Sequence, residues 1–351
     1  MIRITATTSR RNVLCAMASA AIAAPCALLA ASTAPASRPQ GQVMTVDGPV
    51  HASQLGVTLP HEHLLVDFIG ADRATPDRYD RDDVQRAVLP HLKQLAALGC
   101  STLVDCTPAY LGRDPILLKR LSQASGLKII TNTGYYGAGP DFKYLPQHAR
   151  DESVDQLAQR WVREFEHGID GTGVRPSFIK IGVNESPLHE LHRKLVLAAA
   201  QTHHRTGLTI ASHSGDGNAA LEQLAILREQ GVAPRAFIWV HAQVERDPEL
   251  HARIAEMGAW LSFDGIAPET VQRHVELVLA ARRRGKLGQV LVSHDAGWYR
   301  PGEAGGGHFR PFDTLFVLFL PALRHAGLTE AEIAQLTTHN PAAALTLGPT
   351  R

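Results

Sequence analysis

The sequence predicts an α/β fold: a closed (β/α)8 TIM barrel, forming a single domain behind an N-terminal signal segment. Three observations predict it. Across residues 37–351, eight short runs rich in apolar and β-branched residues alternate with longer amphipathic stretches. Glycines (Gly99, Gly126, Gly207, Gly231, Gly258 and Gly288) stand at the helix-to-strand junctions, where a left-handed residue ends a helix. No linker, composition shift or low-complexity tract divides the stretch. An open doubly wound sheet is the runner-up. It is weakened because no glycine-rich phosphate-binding turn follows the first run.

Residues 1–36 read as a processing segment rather than part of the fold. Arg10-Arg11 precede a charge-free, Ala-rich stretch from Val13 to about Ala31. Ala34-Pro35-Ala36 then supplies the small residues that a signal peptidase reads. The pattern resembles a twin-arginine export signal, which implies a periplasmic mature protein. Cys26 follows Pro25 without the leucine-rich approach of a lipoprotein site.

Residues 42–58 precede the barrel and are expected to form a small hairpin over its bottom. The strand runs are Leu55–Val66, Ser101–Cys106, Lys128–Thr133, Ser177–Val183, Leu208–His213, Ala236–His241, Ala259–Asp264 and Gln289–Asp295. Amphipathic stretches predict helices over Asp82–Leu98, Pro115–Ser125, Val154–His167, His189–Arg205, Asn218–Gln230, Pro248–Glu256 and Thr270–Arg284. The tail carries an apolar stretch, Leu315–Leu323, too short and Pro-broken to span a membrane, and a last helix from Glu330.

Composition narrows the function. A 351-residue chain with 44% hydrophobic and 20% charged residues is an ordinary globular protein with a large core. Its net charge of +1 gives no nucleic-acid or membrane-surface footprint. Arg282-Arg283-Arg284 reads as a solvated helix face. Beyond the signal only Cys100 and Cys106 remain. On one strand they would stand roughly 20 Å apart, whereas a disulfide needs Cα atoms within about 7 Å. No bridge between them is expected.

Polar residues cluster where a barrel keeps its chemistry, at the C-terminal ends of its strands. His61 and His63 end the first run, and their spacing of two points both side chains to one face. His213, His241 and Asp295 end the fifth, sixth and eighth runs, and Lys180 lies inside the fourth, in Phe178-Ile179-Lys180-Ile181. An inward, unpaired lysine is expensive, so either it faces outward or something neutralises it. Imidazole and carboxylate suit Zn2+ and similar divalent ions. Four histidines and an aspartate exceed the three protein ligands of one open catalytic zinc and suit two ions that share a bridge.

PHEHLLVD, CTPAYLGRD, TGYYG, the lysine in FIKIG, SHSGDG, VHAQ and LVSHDAGW resemble, in order, the phosphotriesterase family of the amidohydrolase superfamily, in particular its lactonase branch. The resemblance spans essentially the whole mature chain. It implies a binuclear hydrolase with two divalent ions, most simply Zn2+. His61, His63 and Asp295 would hold the more buried ion, and His213 and His241 the more exposed one. A CO2-carboxylated Lys180 would bridge them. A bridging hydroxide would attack an ester, lactone or phosphoester bond of a small molecule, with Asp295 as its base. The resemblance also implies a homodimer. A cyclic amide or other amide is the alternative substrate, and a non-catalytic binding protein is the remaining class.

Two departures bear on specificity. Asp264 matches an aspartate that organophosphate hydrolases follow with a relay histidine, but Gly265 stands next, and Val244 replaces the acidic partner. Tyr136 stands where lactone-hydrolysing members carry a tyrosine. Tyr136, Asp264 and Trp298 are therefore the expected substrate-side residues. Glu62 alternates to the opposite face from its flanking histidines, His294 should point away from the site, and Arg113-Asp114 reads as a structural ion pair.

Overall fold

The computed structural model describes residues 41–348 and Thr350; the expected signal segment and its cleavage site lie outside those residues. The strands are β1 (Gln42–Thr45), β2 (Gly48–His51), β3 (Thr58–Leu65), β4 (Thr102–Asp105), β5 (Lys128–Ile130), β6 (Asn132–Thr133), β7 (Phe178–Gly182), β8 (Thr209–His213), β9 (Phe237–Val240), β10 (Trp260–Phe263), β11 (Val290–Val292) and β12 (Gly297–Tyr299). β6 to β11 pair in sequence order as one parallel ladder, and β12, β3, β4 and β5 form the other. β5 and β6 flank Thr131 within the third run, while β11 lies within the eighth run and β12 just after it. The pairing of β12 with β3 therefore closes an eight-stranded barrel. The predicted runs become strands shorter by one to a few residues, except the third, which keeps its ends and breaks at Thr131. β12 lies beyond any predicted run.

Helices follow the strands: α1 (Arg81–Ala97), α2 (Pro115–Ser125), α3 (Gln147–Asp151), α4 (Val154–His167), α5 (Glu190–Thr206), α6 (Gly217–Glu229), α7 (Pro248–Met257), α8 (Val271–Arg283), α9 (Leu320–His325), α10 (Glu330–Ala334) and α11 (Asn340–Leu345). Their starts are written locally. Asp80, Asp114, Asp216 and Asp247 accept backbone N–H groups of the first turns of α1, α2, α6 and α7, each cap contributing about 1 kcal/mol. Gly126, Gly207 and Gly258 end their helices with positive φ. Gly288 does not: the positive-φ glycine after α8 is Gly285, and Gly288 lies in a separate 3-10 turn, Leu287–Gln289, that leads into β11. None of the described helices is long and apolar enough to cross a membrane.

Alternation along the strands builds two apolar layers. Phe178, Ala211, Ile238, Val240, Trp260 and Leu291 fill the barrel interior, capped by Val43 of the β1–β2 hairpin and by Leu345 of α11. Ile179, Ile181, Ile210, Trp239, Phe263 and Val292 face outward into the helix layer. On β3 the outward residues Leu59 and Leu64 are separated by an odd number, which strict alternation forbids. A register shift between Leu59 and Glu62 supplies the extra residue. That shift turns His61 and His63 inward and Glu62 outward.

Cys100 and Cys106 are both buried and free. Arg113 and Asp114 do not pair with each other. Arg113 binds Glu164 of α4 through both guanidinium nitrogens (2.7 and 2.8 Å), while Asp114 caps α2 and accepts from Arg81 (2.6 Å). Adjacent residues point apart, so each took a partner from a different helix. Arg282 and Arg284 pair with Glu332 and Glu249, and Arg283 is exposed.

Candidate metal centre

Parallel strands deliver their C-terminal ends to one face, and register sets the height of each side chain. Gly182 of β7 lies level with His213 of β8, which lies level with Val240 of β9. His213 and His241 are thus neighbours across two strands, with ring centroids 4.5 Å apart. His241 follows β9 at φ +65° and Asp295 follows β11 at φ +54°. A left-handed backbone at residues other than glycine costs about 1–3 kcal/mol each and gathers at functional sites.

Three donors converge. His61 Nε2 is 3.3 Å from His63 Nε2 and 3.7 Å from Asp295 Oδ1, and His63 Nε2 is 3.1 Å from the same oxygen. The hydrogen-bond network assigns the tautomers. Thr107 donates its hydroxyl to Leu65 O (3.1 Å), so it accepts from His63 Nδ1 (2.7 Å). This leaves a lone pair on His63 Nε2. His61 Nδ1 faces the Asp264 carboxylate at 3.1 Å, although too bent for a full hydrogen bond, and His241 Nδ1 donates to it at 2.6 Å. Each of these histidines is thereby turned with Nε2 as the ligating atom, held from behind by a hydroxyl or a carboxylate. Two nitrogen lone pairs and a carboxylate oxygen facing one another repel unless a cation stands between them. The donor set therefore fits a divalent ion.

Electrostatics agree. Burial, with the Lys180 ammonium next, lowers His61 to about 4. Burial, His241 and Lys180 hold His213 well below the ordinary histidine range. Both imidazoles are neutral at neutral pH, as ligation requires. Burial alone would raise Asp295, but the His63 and His61 rings beside it bring it to about 2. Burial opposes charge on His241 too, yet Asp264 wins and raises it; against the same burial penalty, His241 and His61 hold Asp264 well below the carboxylate range.

Lys180 points inward, 2% exposed, on the same face as Phe178. Its ammonium makes no ion pair or hydrogen bond among the described residues, though its charge acts on His61, His213 and His241. Tyr136 packs edge-on against His213 (5.0 Å), and Trp298 against His63 (6.0 Å). Phe68, 40% exposed, packs at a tilt against Trp298 (5.4 Å). Glu62 and His294 lie on the outer side as expected, bonded to each other at 2.7 Å.

One expectation is corrected. Asp264 does not face substrate: it is 0% exposed and fully engaged beneath His61 and His241. A carboxylate ending a strand between two histidines is better used to orient them. Sequence reasoning did not single out Thr107, Gln243 or Phe68. Thr107 had a signal, since it follows β4 as a polar residue on the inward parity. Gln243, in a single 3-10 turn after β9, and Phe68, in the turn after β3, had none. Cavity size does not locate the centre either: a cleft of about 470 Å3, lined by Tyr79, Tyr110 and Arg163 among others, contains none of the six expected ligands.

The comparisons with known proteins point the same way. The model of the phosphotriesterase family matches residues 41–345. A phosphotriesterase homology protein of Escherichia coli (strain K12) is 30% identical over 290 residues, covering 82% of this chain and 96% of that protein. An N-acetyltaurine hydrolase of Homo sapiens is 26% identical, covering 86% of this chain and 97% of its own. A solved structure of an organophosphorus hydrolase variant from Deinococcus radiodurans superposes with a TM-score of 0.79 at 26% identity, covering 88% of this chain and 99% of that one. On this match, carried along nearly all of the described barrel, the chain belongs to the phosphotriesterase family.

Proposed function

We propose that the chain is a hydrolase that holds two divalent ions, Zn2+ by its donor chemistry, and cleaves an ester, lactone or phosphoester bond of a small molecule. The observation that carries this reading is the convergence of His61 Nε2, His63 Nε2 and Asp295 Oδ1, beside a second histidine pair. Membership of a hydrolytic, divalent-metal-dependent family supports it. His61, His63 and Asp295 would hold one ion, and His213 and His241 the other. Lys180 would bridge them as a carbamate. Carboxylation by CO2 would change a buried cation into an anion, whose desolvation penalty the two bound cations would offset.

Bound ions of this kind polarise a carbonyl or phosphoryl oxygen and supply a nucleophile from water at neutral pH. The protein's own groups do the rest. Asp295 is ionised, and among the described residues none donates a hydrogen bond to its Oδ2, so it can take a proton from the attacking water. With Gly265 beside Asp264, no side chain relays that proton inward, and it returns to solvent from the 22%-exposed Asp295 carboxylate. Tyr136, Trp298 and Phe68 form an aromatic wall that suits an apolar substrate group.

Amide hydrolysis is the second reading, favoured by the relatives named N-acetyltaurine hydrolase. A screen of the metal-loaded protein against lactones, aryl esters, phosphotriesters, phosphodiesters and amides separates the two. Turnover concentrated on lactones or esters supports the first, and turnover concentrated on amides supports the second. Rates no higher than those of metal-free protein on every class contradict both.

A further inference from the structure

Asp264 faces expected ligands of both metal positions. Its Oδ1 accepts from His241 Nδ1 at 2.6 Å, and its Oδ2 lies 3.1 Å from His61 Nδ1. It also accepts the His241 backbone N–H (3.1 Å) and the Ser262 hydroxyl (2.8 Å). Gln243 completes the enclosure with a reciprocal pair. Its Nε2 donates to Asp264 Oδ1 (3.0 Å), and its Oε1 accepts the Asp264 backbone N–H (3.2 Å). The amide thus grips both the side chain and the main chain of residue 264.

The space for this amide is made by Gly265. A Cβ at residue 265 would sit 2.8 Å from Gln243 Nε2, closer than real Cβ atoms approach. Gly265 has no positive φ, so its requirement is steric and not conformational. The glutamine and the glycine are two halves of one arrangement: any side chain at 265 displaces the group that holds Asp264.

We propose that Gln243, seated against Gly265, is a positioning residue for both metal positions: by clamping Asp264 it fixes the Nδ1 sides of His61 and His241 and couples the retention of the two ions. The inference rests on the binuclear reading above. Asp264 without Gln243 keeps its histidine contacts but loses a donor and the backbone clamp. Both imidazoles then gain rotational freedom, and both ions lose part of their preorganised ligand set.

The test compares full-length wild type with Gln243→Ala, Gln243→Glu and Gly265→Ala, each loaded with Co2+. Metal per chain is followed during challenge with a chelator, alongside the visible Co2+ spectrum and the thermal unfolding of the metal-free proteins. All three variants should still unfold cooperatively when metal-free, with midpoints lowered only as far as the lost hydrogen bonds account for. They should release both ions about tenfold faster, as expected for losing one hydrogen bond to a charged group. The Co2+ bands should shift in all three, although Gln243→Ala opens space and Gly265→Ala fills it. Variants that keep two ions as long as wild type with unchanged spectra overturn the assignment, as does faster loss of only one ion. A wild type that takes up two ions beside unaffected variants refutes the Gln243 assignment alone. A wild type that takes up fewer than two overturns the binuclear reading and this inference together.

Discussion

Glu62 accepts a 2.7 Å hydrogen bond from Nδ1 of His294, and both side chains are fully buried behind the candidate centre. The same carboxylate accepts from Ser293 Oγ (2.7 Å), His294 N–H (3.0 Å) and Ala296 N–H (2.8 Å). These donors flank Asp295 on either side. His294 Nε2 in turn accepts the Leu315 N–H at 2.8 Å. Glu62 therefore holds, from outside the barrel, the turn that presents Asp295 inside it.

Replacing Glu62 should damage stability and ligand geometry together. Glu62→Ala leaves several buried donors unpaired, at about 1–3 kcal/mol each, and should lower the denaturation midpoint sharply. Glu62→Gln keeps the shape but loses the charge that draws those donors, and should fall between Ala and wild type. Urea titrations of metal-free protein check this order. A Glu62→Gln protein as stable as wild type would remove the charge from the argument.

Lys180→Ala should lose metal and activity, because an unbridged pair of ions lacks a shared anion. Adding short carboxylic acids, which can stand in for a carbamate, should restore part of both. Metal analysis and turnover with and without propionate measure this. Full activity in Lys180→Ala would refute the bridge.

Acid should destabilise the metal-free chain well above the carboxylate range. Burial lowers His61 to about 4 and also lowers His91, His148, His192, His213, His251 and His274. For each, the unfolded state binds more protons below the ordinary histidine range, so stability rises with pH through that window and is lost as pH falls. His61 alone accounts for roughly 3 kcal/mol between about pH 6.5 and 4. His241 and Asp105, both raised, act in the opposite direction but are two groups against seven. Thermal unfolding from pH 7.5 to 4.5 should show a steady fall in midpoint; a flat profile contradicts the burial account.

Export tests the expected signal. Replacing Arg10 and Arg11 with lysine should leave precursor in the cytoplasm, read by fractionation and immunoblot. Undiminished export would refute the twin-arginine assignment.

Much of this architecture was legible because it is periodic. The apolar runs that became β7 to β11 and the glycines that end α2, α5 and α7 are local signals, and local signals survive in a single sequence. The expected metal ligands other than Lys180 were legible for a related reason: they lie at or next to strand ends, and a barrel brings strand ends together whatever lies between. β12 was not legible, because it is three residues long and exists only through pairing with β3. Gln243 and the true place of Asp264 were hidden because they depend on which side chain fills the volume above Gly265. The shift in β3 was implicit in the odd spacing of Leu59 and Leu64, but only the partner strand makes it visible.

The central claim is two ions in one carbamate-bridged cluster. Its most direct measurement is metal per chain by elemental analysis after loading with excess Zn2+ and bicarbonate and removal of free ion. The account predicts two ions in wild type and fewer in His61→Ala, His241→Ala and Lys180→Ala. One ion or none in fully loaded wild type would contradict it.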